Sequence, residues 1–296
     1  MNMADIQTVC VVGSGSMGHQ IAMLCALGGF QTFLQDVREE ALKRAEHSLR
    51  ERMNDWVEKG KISETAKNDA FSRLVFTTDL KEAAQGADFV IEAVVEKLEV
   101  KRDVFRRLDE IAPAHAVLAT NSSTIVNSLI ADVTSRPEKV CNMHFFFPPL
   151  VMDCIEVVMS DQTSDETAQV VLDVCRKINR NGILLKKEIS GFVANRILGA
   201  MQREALNLYE QGVADYEDID LIVTKALGHP LGPFQLFDLS GIDVAYYVMQ
   251  QRYAETGDPE DRPTKTLEEK VNKGELGRKT GKGFYEYDEK GRIRGE

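Results

Sequence analysis

The chain has 296 residues, and 36 lysines and arginines against 47 aspartates and glutamates give a formal charge of −11. With 43% hydrophobic and 28% charged residues it can bury a large interior, which excludes a disordered chain and implies one large or two ordinary domains. The acidic balance argues against nucleic acid or an anionic membrane surface as a partner, but not against a small anion held by a local basic cluster.

Met1–Asp5 lack a basic leader region, and the apolar run Val9–Val12 ends at Gly13. No stretch approaches the roughly 18 apolar residues of a bilayer span. The five cysteines, Cys10, Cys25, Cys141, Cys154 and Cys175, have no CxxC spacing. They read as buried reduced thiols, no metal site is expected, and the chain is expected in the cytoplasm.

In chain order, Thr8–Val12, Thr32–Leu34, Leu74–Thr77, Phe89–Ala93, Val117–Thr120 and Val140–Phe145 read as strands. Amphipathic stretches such as Arg38–Lys59 and Lys97–Ile111 lie between several of them. This alternation predicts crossover units in a doubly wound, mostly parallel α/β sheet of Rossmann type. Cys154–Met159 and Leu184–Lys187 are candidates to extend it. Residues 38–73 exceed a standard crossover and predict a helical excursion turning near Gly60. After Ser190 the texture becomes helical, over Phe192–Gln211, Asp215–Leu227 and Val244–Ala254, with no strand before Gly283. Asp215 and Asp218 resemble helix starts, and His229–Pro233 must be a turn. The expected division is 1–188, an NAD-binding domain, and 189–296, a smaller all-helical domain.

Gly13-Ser14-Gly15-Ser16-Met17-Gly18 fits GxGxxG, directly after a strand and opening a helix. Gly13 permits the tight turn, Gly15 lets backbone approach a pyrophosphate, and Gly18 lets helix and strand pack closely. Asp36, after the second strand, can accept hydrogen bonds from both ribose hydroxyls, which favours NAD over NADP; Arg38 blunts that preference. The alternative is that Asp36 caps the next helix.

Among five histidines, His144 stands at the carboxyl end of a strand, where open α/β sheets bind ligands. Glu156 lies in the apolar run Cys154–Met159 and needs a partner there, and His144 is the nearest candidate across Pro148–Pro149. A glutamate on one ring nitrogen would raise the basicity of the other, as a dehydrogenase base requires. Equally, His144 could be a satisfied core histidine and Glu156 the partner of a helix terminus. Asn121-Ser122-Ser123-Thr124 follows a strand at the same end; its serines suit a substrate hydroxyl or nicotinamide, or a cap for Ile125–Ala131. Asn195, among Phe192, Val193, Ile197 and Leu198, needs partners in the core or in a cleft.

These motifs resemble the L-3-hydroxyacyl-CoA dehydrogenase family over nearly the whole chain. The matching stretches are VVGSGSMG (11–18), IEAVVEKLEVK (91–101), ATNSSTI (119–125), MHFFFPP (143–149) and IEVV (155–158). GFVANRI (191–197), LGPFQLFDLSGID (231–243) and KTGKGFYEY (279–287) follow. The resemblance implies NAD as cofactor, an acyl-CoA substrate of short chain such as 3-hydroxybutyryl-CoA, and a homodimer held by the second domain. It implies His144 as general base, Glu156 as its orienting partner, and Ser123 and Asn195 in the site. Glu96, Lys101 and Lys279 match dinucleotide contacts, and Lys59 a lysine that meets CoA; a solvated surface lysine is its plainer reading. Phe147 departs from the asparagine usual in the family, which puts acyl preference in doubt. It also keeps open a non-CoA substrate of L-gulonate or carnitine type. A non-catalytic NAD-binding protein is the reading from another class. A run at 191–202 without lysine disfavours 3-hydroxyisobutyrate-type enzymes.

Overall fold

A computed structural model describes residues 6–294, without the side chain of Glu255. The expectation for Met1–Asp5 lies outside the described residues. By its contacts the chain forms two units, the first ending at Phe192 and the second beginning at Val193. The break falls a few residues past 188 because Phe192 is fully buried and packs its ring against His144, 5.4 Å between centroids.

The first unit is one sheet of eight strands: β1 (Thr8–Val12), β2 (Gln31–Gln35), β3 (Leu74–Thr77), β4 (Phe89–Glu92), β5 (Val117–Thr120), β6 (Val140–Phe145), β7 (Cys154–Val158) and β8 (Asn181–Leu185). Their order is β3-β2-β1-β4-β5-β6-β7-β8, and every pair is parallel except β6–β7. Residues alternate between two cores. Val9, Val11, Phe89, Ile91, Val117 and Ala119 pack beneath α1 (Gly18–Leu27), α2 (Glu39–Glu58), α3 (Glu64–Arg73) and α7 (Asp165–Lys177). Cys10, Val12, Val90 and Leu118 meet α4 (Leu80–Ala84), α5 (Leu98–Ile111) and α6 (Ser128–Ala131). Burial on both faces is why the central strands read as unbroken apolar runs.

The excursion at 38–73 is the pair α2 and α3, which turn at Gly60 with φ +66°. β8 lies a few residues before the expected Leu184–Lys187, since this edge strand exposes Ile183 and Leu184 and carries no burial pattern. Helix α7 was not among the expected elements, although Ser164 caps it from the Thr167 N–H at 3.1 Å. Helix α6 begins at Ser128, later than the expected Ile125.

The second unit holds α8 (Ala194–Glu210), α9 (Tyr216–Ala226), α10 (Pro233–Ser240), α11 (Ile242–Thr256) and α12 (Lys265–Lys273). Asp215 occupies the N-cap position of α9 without a side-chain bond, Asp218 lies in its first turn, and Pro233 starts α10 rather than only ending a turn. Among the described residues the unit has no strand, only isolated bridges over 277–293. Two buried aspartates fasten it. Asp220 accepts from Phe234 N–H at 2.8 Å, Gln235 N–H at 2.9 Å and the Tyr285 hydroxyl at 2.9 Å. Asp238 accepts from Phe284 N–H at 2.9 Å, Tyr285 N–H at 2.8 Å and the Tyr287 hydroxyl at 2.9 Å. No described helix is long and apolar enough to cross a membrane.

Candidate active site

The strand order reverses between β1 and β4, and open α/β sheets bind ligands beyond the carboxyl ends of the strands at such a point. The three glycines after β1 answer to different neighbours. Gly13 has φ +99°, and a Cβ on it would lie 2.7 Å from the Ala93 carbonyl oxygen. On Gly18 a Cβ would lie 1.7 Å from the Gly13 carbonyl oxygen, so the turn and the helix demand these two. Gly15 has nothing within 4 Å of its missing Cβ. The protein itself does not require glycine there, and the open space suits a ligand pressed against the backbone. Ser14, Ser16 and Met17 complete the loop before the N-terminus of α1, whose free N–H groups and dipole suit a diphosphate.

Asp36 follows β2. Its Oδ2 accepts from the Ser14 N–H and hydroxyl, both at 2.9 Å, and its Oδ1 from the Arg38 N–H at 3.0 Å. Burial pushes this carboxyl up, but those bonds and the Arg38 charge outweigh it and hold it below the usual carboxylate range. Asp36 is thus an ionised acceptor joined to the glycine loop rather than only a cap for α2.

The ends of β4 and β5 are tied through a buried charge cluster. Glu92, fully buried, accepts from the Val94 N–H at 2.7 Å, Lys101 Nζ at 2.8 Å and the Thr120 hydroxyl at 2.7 Å. Lys101, 1% exposed, reaches Glu96 as well, at 3.2 Å. Oε1 of Glu96 accepts from the Ser122 hydroxyl at 2.5 Å, the Ser123 N–H at 3.0 Å, and the Thr124 N–H and hydroxyl, each at 3.1 Å. Burial raises the Glu96 carboxyl, but Lys101 and these donors pull it net below its ordinary range. Glu96 therefore shapes the loop that presents Ser123, which is half-buried. Sequence reasoning passed over Glu92, though a carboxylate closing the apolar strand FVIE demands a partner as Glu156 does.

The antiparallel register sets His144 of β6 directly opposite Glu156 of β7. His144 Nδ1 lies 2.8 Å from Glu156 Oε2, and the residues are 3% and 4% exposed. The rings of Phe146 and Phe192 stand 4.8 and 5.4 Å from the imidazole and keep it dry. Asn121 Oδ1 accepts from the Phe145 N–H at 2.9 Å, which locks the end of β5 to the residue after His144. Phe147 is 64% exposed.

Three further expected residues have these surroundings. Lys59 closes α2 and pairs with Asp55 at 2.6 Å. Asn195 is exposed on the first turn of α8, which excludes the core reading for it. Lys279, also in the second unit, bridges both carboxylate oxygens of Asp243 at 2.5 and 2.6 Å.

Comparison with known proteins fits this geometry. Residues 8–189 match the 3-hydroxyacyl-CoA dehydrogenase NAD binding domain, and 191–287 the C-terminal domain of the same enzymes. The chain belongs to the 3-hydroxyacyl-CoA dehydrogenase family. It is 37% identical over 286 residues to a probable 3-hydroxybutyryl-CoA dehydrogenase of Bacillus subtilis, covering 97% of this chain and 99% of that one. It is 34% identical to the human mitochondrial hydroxyacyl-coenzyme A dehydrogenase, covering 95% of this chain and 91% of the relative. The crystal structure of (S)-3-hydroxybutyryl-CoA dehydrogenase from Ralstonia eutropha superposes with a TM-score of 0.90 at 35% identity, over 96% of this chain and all of that one. The dehydrogenase is thus an NAD-dependent oxidoreductase, and the open space at Gly15 with the ionised Asp36 fits that cofactor.

Proposed function

We propose that this dehydrogenase interconverts a short-chain L-3-hydroxyacyl-CoA, such as 3-hydroxybutyryl-CoA, and its 3-keto form, with His144 as acid–base group and Glu156 orienting it. The 2.8 Å contact between His144 Nδ1 and Glu156 Oε2 carries this reading. An ionised carboxylate only accepts, so Nδ1 bears the proton and Nε2 keeps a lone pair. In the oxidation Nε2 takes the proton of the substrate hydroxyl, and Glu156 balances the imidazolium where water is excluded. In the reduction Nε2–H returns that proton to the ketone oxygen. When bound, NAD accepts or returns the hydride at C3.

Ser123, whose hydroxyl has no partner among the described residues, orients the substrate hydroxyl beside the cofactor in this reading. Asn195 completes the substrate site, Lys59 meets the CoA moiety, and Glu96, Lys101 and Lys279 serve the cofactor side. The acyl-CoA substrate is supported by the names of the relatives at 34–37% identity. The second unit, from about residue 189, is assigned to substrate binding and to a homodimer, because it exposes Leu221, Ile222, Leu227, Val244 and Tyr247. Five free cysteines accord with a cytoplasmic enzyme.

The test is His144→Gln with acetoacetyl-CoA and NADH. Turnover falls by about 10²–10⁴-fold, the scale of general acid–base catalysis, while NADH affinity and Tm stay near wild type. Near-normal turnover removes His144 from the role. A kcat/KM for free 3-hydroxybutyrate equal to that for its CoA ester removes the CoA substrate.

A further inference from the structure

Phe192 is the last residue of the first unit, and two features set it apart from a packing residue. Its backbone has φ +47°, a region that a bulky side chain enters only at a cost. The one other non-glycine residue with positive φ among the described residues is Asn179, a type whose short amide tolerates it. Gly191, with φ +77°, turns the chain just before, and the Phe192 N–H donates back to the Ile189 carbonyl at 3.0 Å. Glycine at 192 would take this conformation freely, yet a phenyl ring stands there.

That ring also lies outside the apolar cores. It is fully buried, but among the described residues it belongs to neither core of the sheet, nor to the core of the second unit. Its aromatic neighbour is the His144 imidazole, 5.4 Å away between centroids and tilted by 53°. Phe146 meets the same imidazole at 4.8 Å and 60°. One hydrogen bond, from Nδ1 to Glu156, leaves an imidazole free to swing about it. Two rings at tilted angles restrict that swing, and with it the wander of Nε2. The segment that delivers Phe192 is itself tied down: Glu188 Oε2 accepts from the Ser128 N–H at 3.1 Å, just past the loop that carries Ser123.

We propose that Phe192 is a positioning residue for the dehydrogenase reaction: the strain in its backbone is kept because its ring fixes the imidazole plane and aims Nε2 at the substrate hydroxyl. This rests on His144 as the acid–base group. Strain of this kind persists where the surroundings over-determine it, and it gathers at sites that must be preorganised.

The test uses Phe192→Leu, Phe192→Ala and Phe192→Gly in the intact enzyme. It reads Tm, kcat and the KM for NADH with acetoacetyl-CoA, and the downfield proton NMR signal of His144 Nδ1–H, which His144→Gln identifies by its loss. Phe192→Gly releases the left-handed strain that Phe192→Ala keeps, so the glycine variant melts above the alanine one. Both lack the ring, and kcat falls about a hundredfold in each, the cost of a misplaced group, with the KM for NADH within twofold. Phe192→Leu keeps a buried apolar side chain, folds, and loses about tenfold in kcat. Its Nδ1–H signal broadens as the proton exchanges with water. A residue that only filled space would instead make kcat follow Tm, with the glycine variant the more active of the two. That order overturns the proposal, as does wild-type kcat or an unchanged Nδ1–H signal in Phe192→Leu, or a KM for NADH that rises as kcat falls. Failure of the acid–base reading looks different: His144→Gln then keeps its turnover, while the Nδ1–H signal, which needs no turnover, still reports the hold of Phe192 on the ring.

Discussion

Lys101→Met separates a lysine that touches the cofactor from one that works through carboxylates. Its ammonium is 1% exposed and lies 2.8 Å from Glu92 and 3.2 Å from Glu96. Removing one partner of a buried ion pair costs about 3–5 kcal/mol, because the other charge stays in a dry place. Glu92 retains the Val94 N–H and the Thr120 hydroxyl, each at 2.7 Å, which puts the loss at the low end, about 3 kcal/mol. At about 2–4 °C per kcal/mol for a unit of this size, calorimetry should record a Tm lower by about 6–12 °C. Glu92→Gln in the same chain removes the stranded charge and should restore more than half of that. Lys101 also holds Glu96, so the single variant loosens the Ser122–Thr124 loop and raises the KM for NADH. Glu96→Gln, which leaves Lys101 in place, should reproduce that rise. A Tm drop under about 2 °C, or a double variant as unstable as the single one, refutes the buried-pair argument. A KM rise in Lys101→Met that Glu96→Gln does not share would mean that the ammonium meets the dinucleotide directly.

The glycines give a second contrast: Gly15→Ala should keep the wild-type Tm and raise the KM for NADH at least tenfold, since its Cβ meets only the ligand's space. Gly18→Ala should fail to fold or melt far lower, with its Cβ placed 1.7 Å from a carbonyl oxygen; equal Tm values for the two variants would contradict this. Asp36 is held below the ordinary carboxylate range, so NADH affinity measured by fluorescence should stay level as pH falls through that range and decline only beneath it. The lowered value also means that the stability Asp36 contributes is present above its unfolded pKa and is lost as pH falls through the folded one. Ser14→Ala removes one donor, and the decline should move to higher pH. Light scattering should give twice the 33.1 kDa chain mass, and Ile222→Glu, at a position 57% exposed, should return the monomer mass.

What the sequence made legible follows from where burial leaves a pattern. Strands β1, β5 and β6 have the expected ends because they are covered on both faces, and β3 has them too, although it is an edge strand, because both its end residues are buried. β8 slid because, unlike the other edge strand, it has no buried residue, and Ile183 is 52% exposed. His144 and Glu156 were legible for a chemical reason: a carboxylate inside an apolar strand requires a partner, and a short connection limits which strand can supply it. The same reason applies to Glu92, yet its partners arrive from α5 and β5, through a loop whose path no local pattern fixes. Lys101 accordingly reads as a free cation on a helix until the fold closes over it. The hollow beside the glycine loop was hidden in the same way, since Ser14 and Ser16 come to line it with Arg44 and Ser48 only when α2 packs beside α1. For this dehydrogenase the residues that carry chemistry at strand ends are visible one at a time. The charges that hold them in place become visible only as a network, and loss of Glu92 should therefore disturb Ser123 without either residue touching the other.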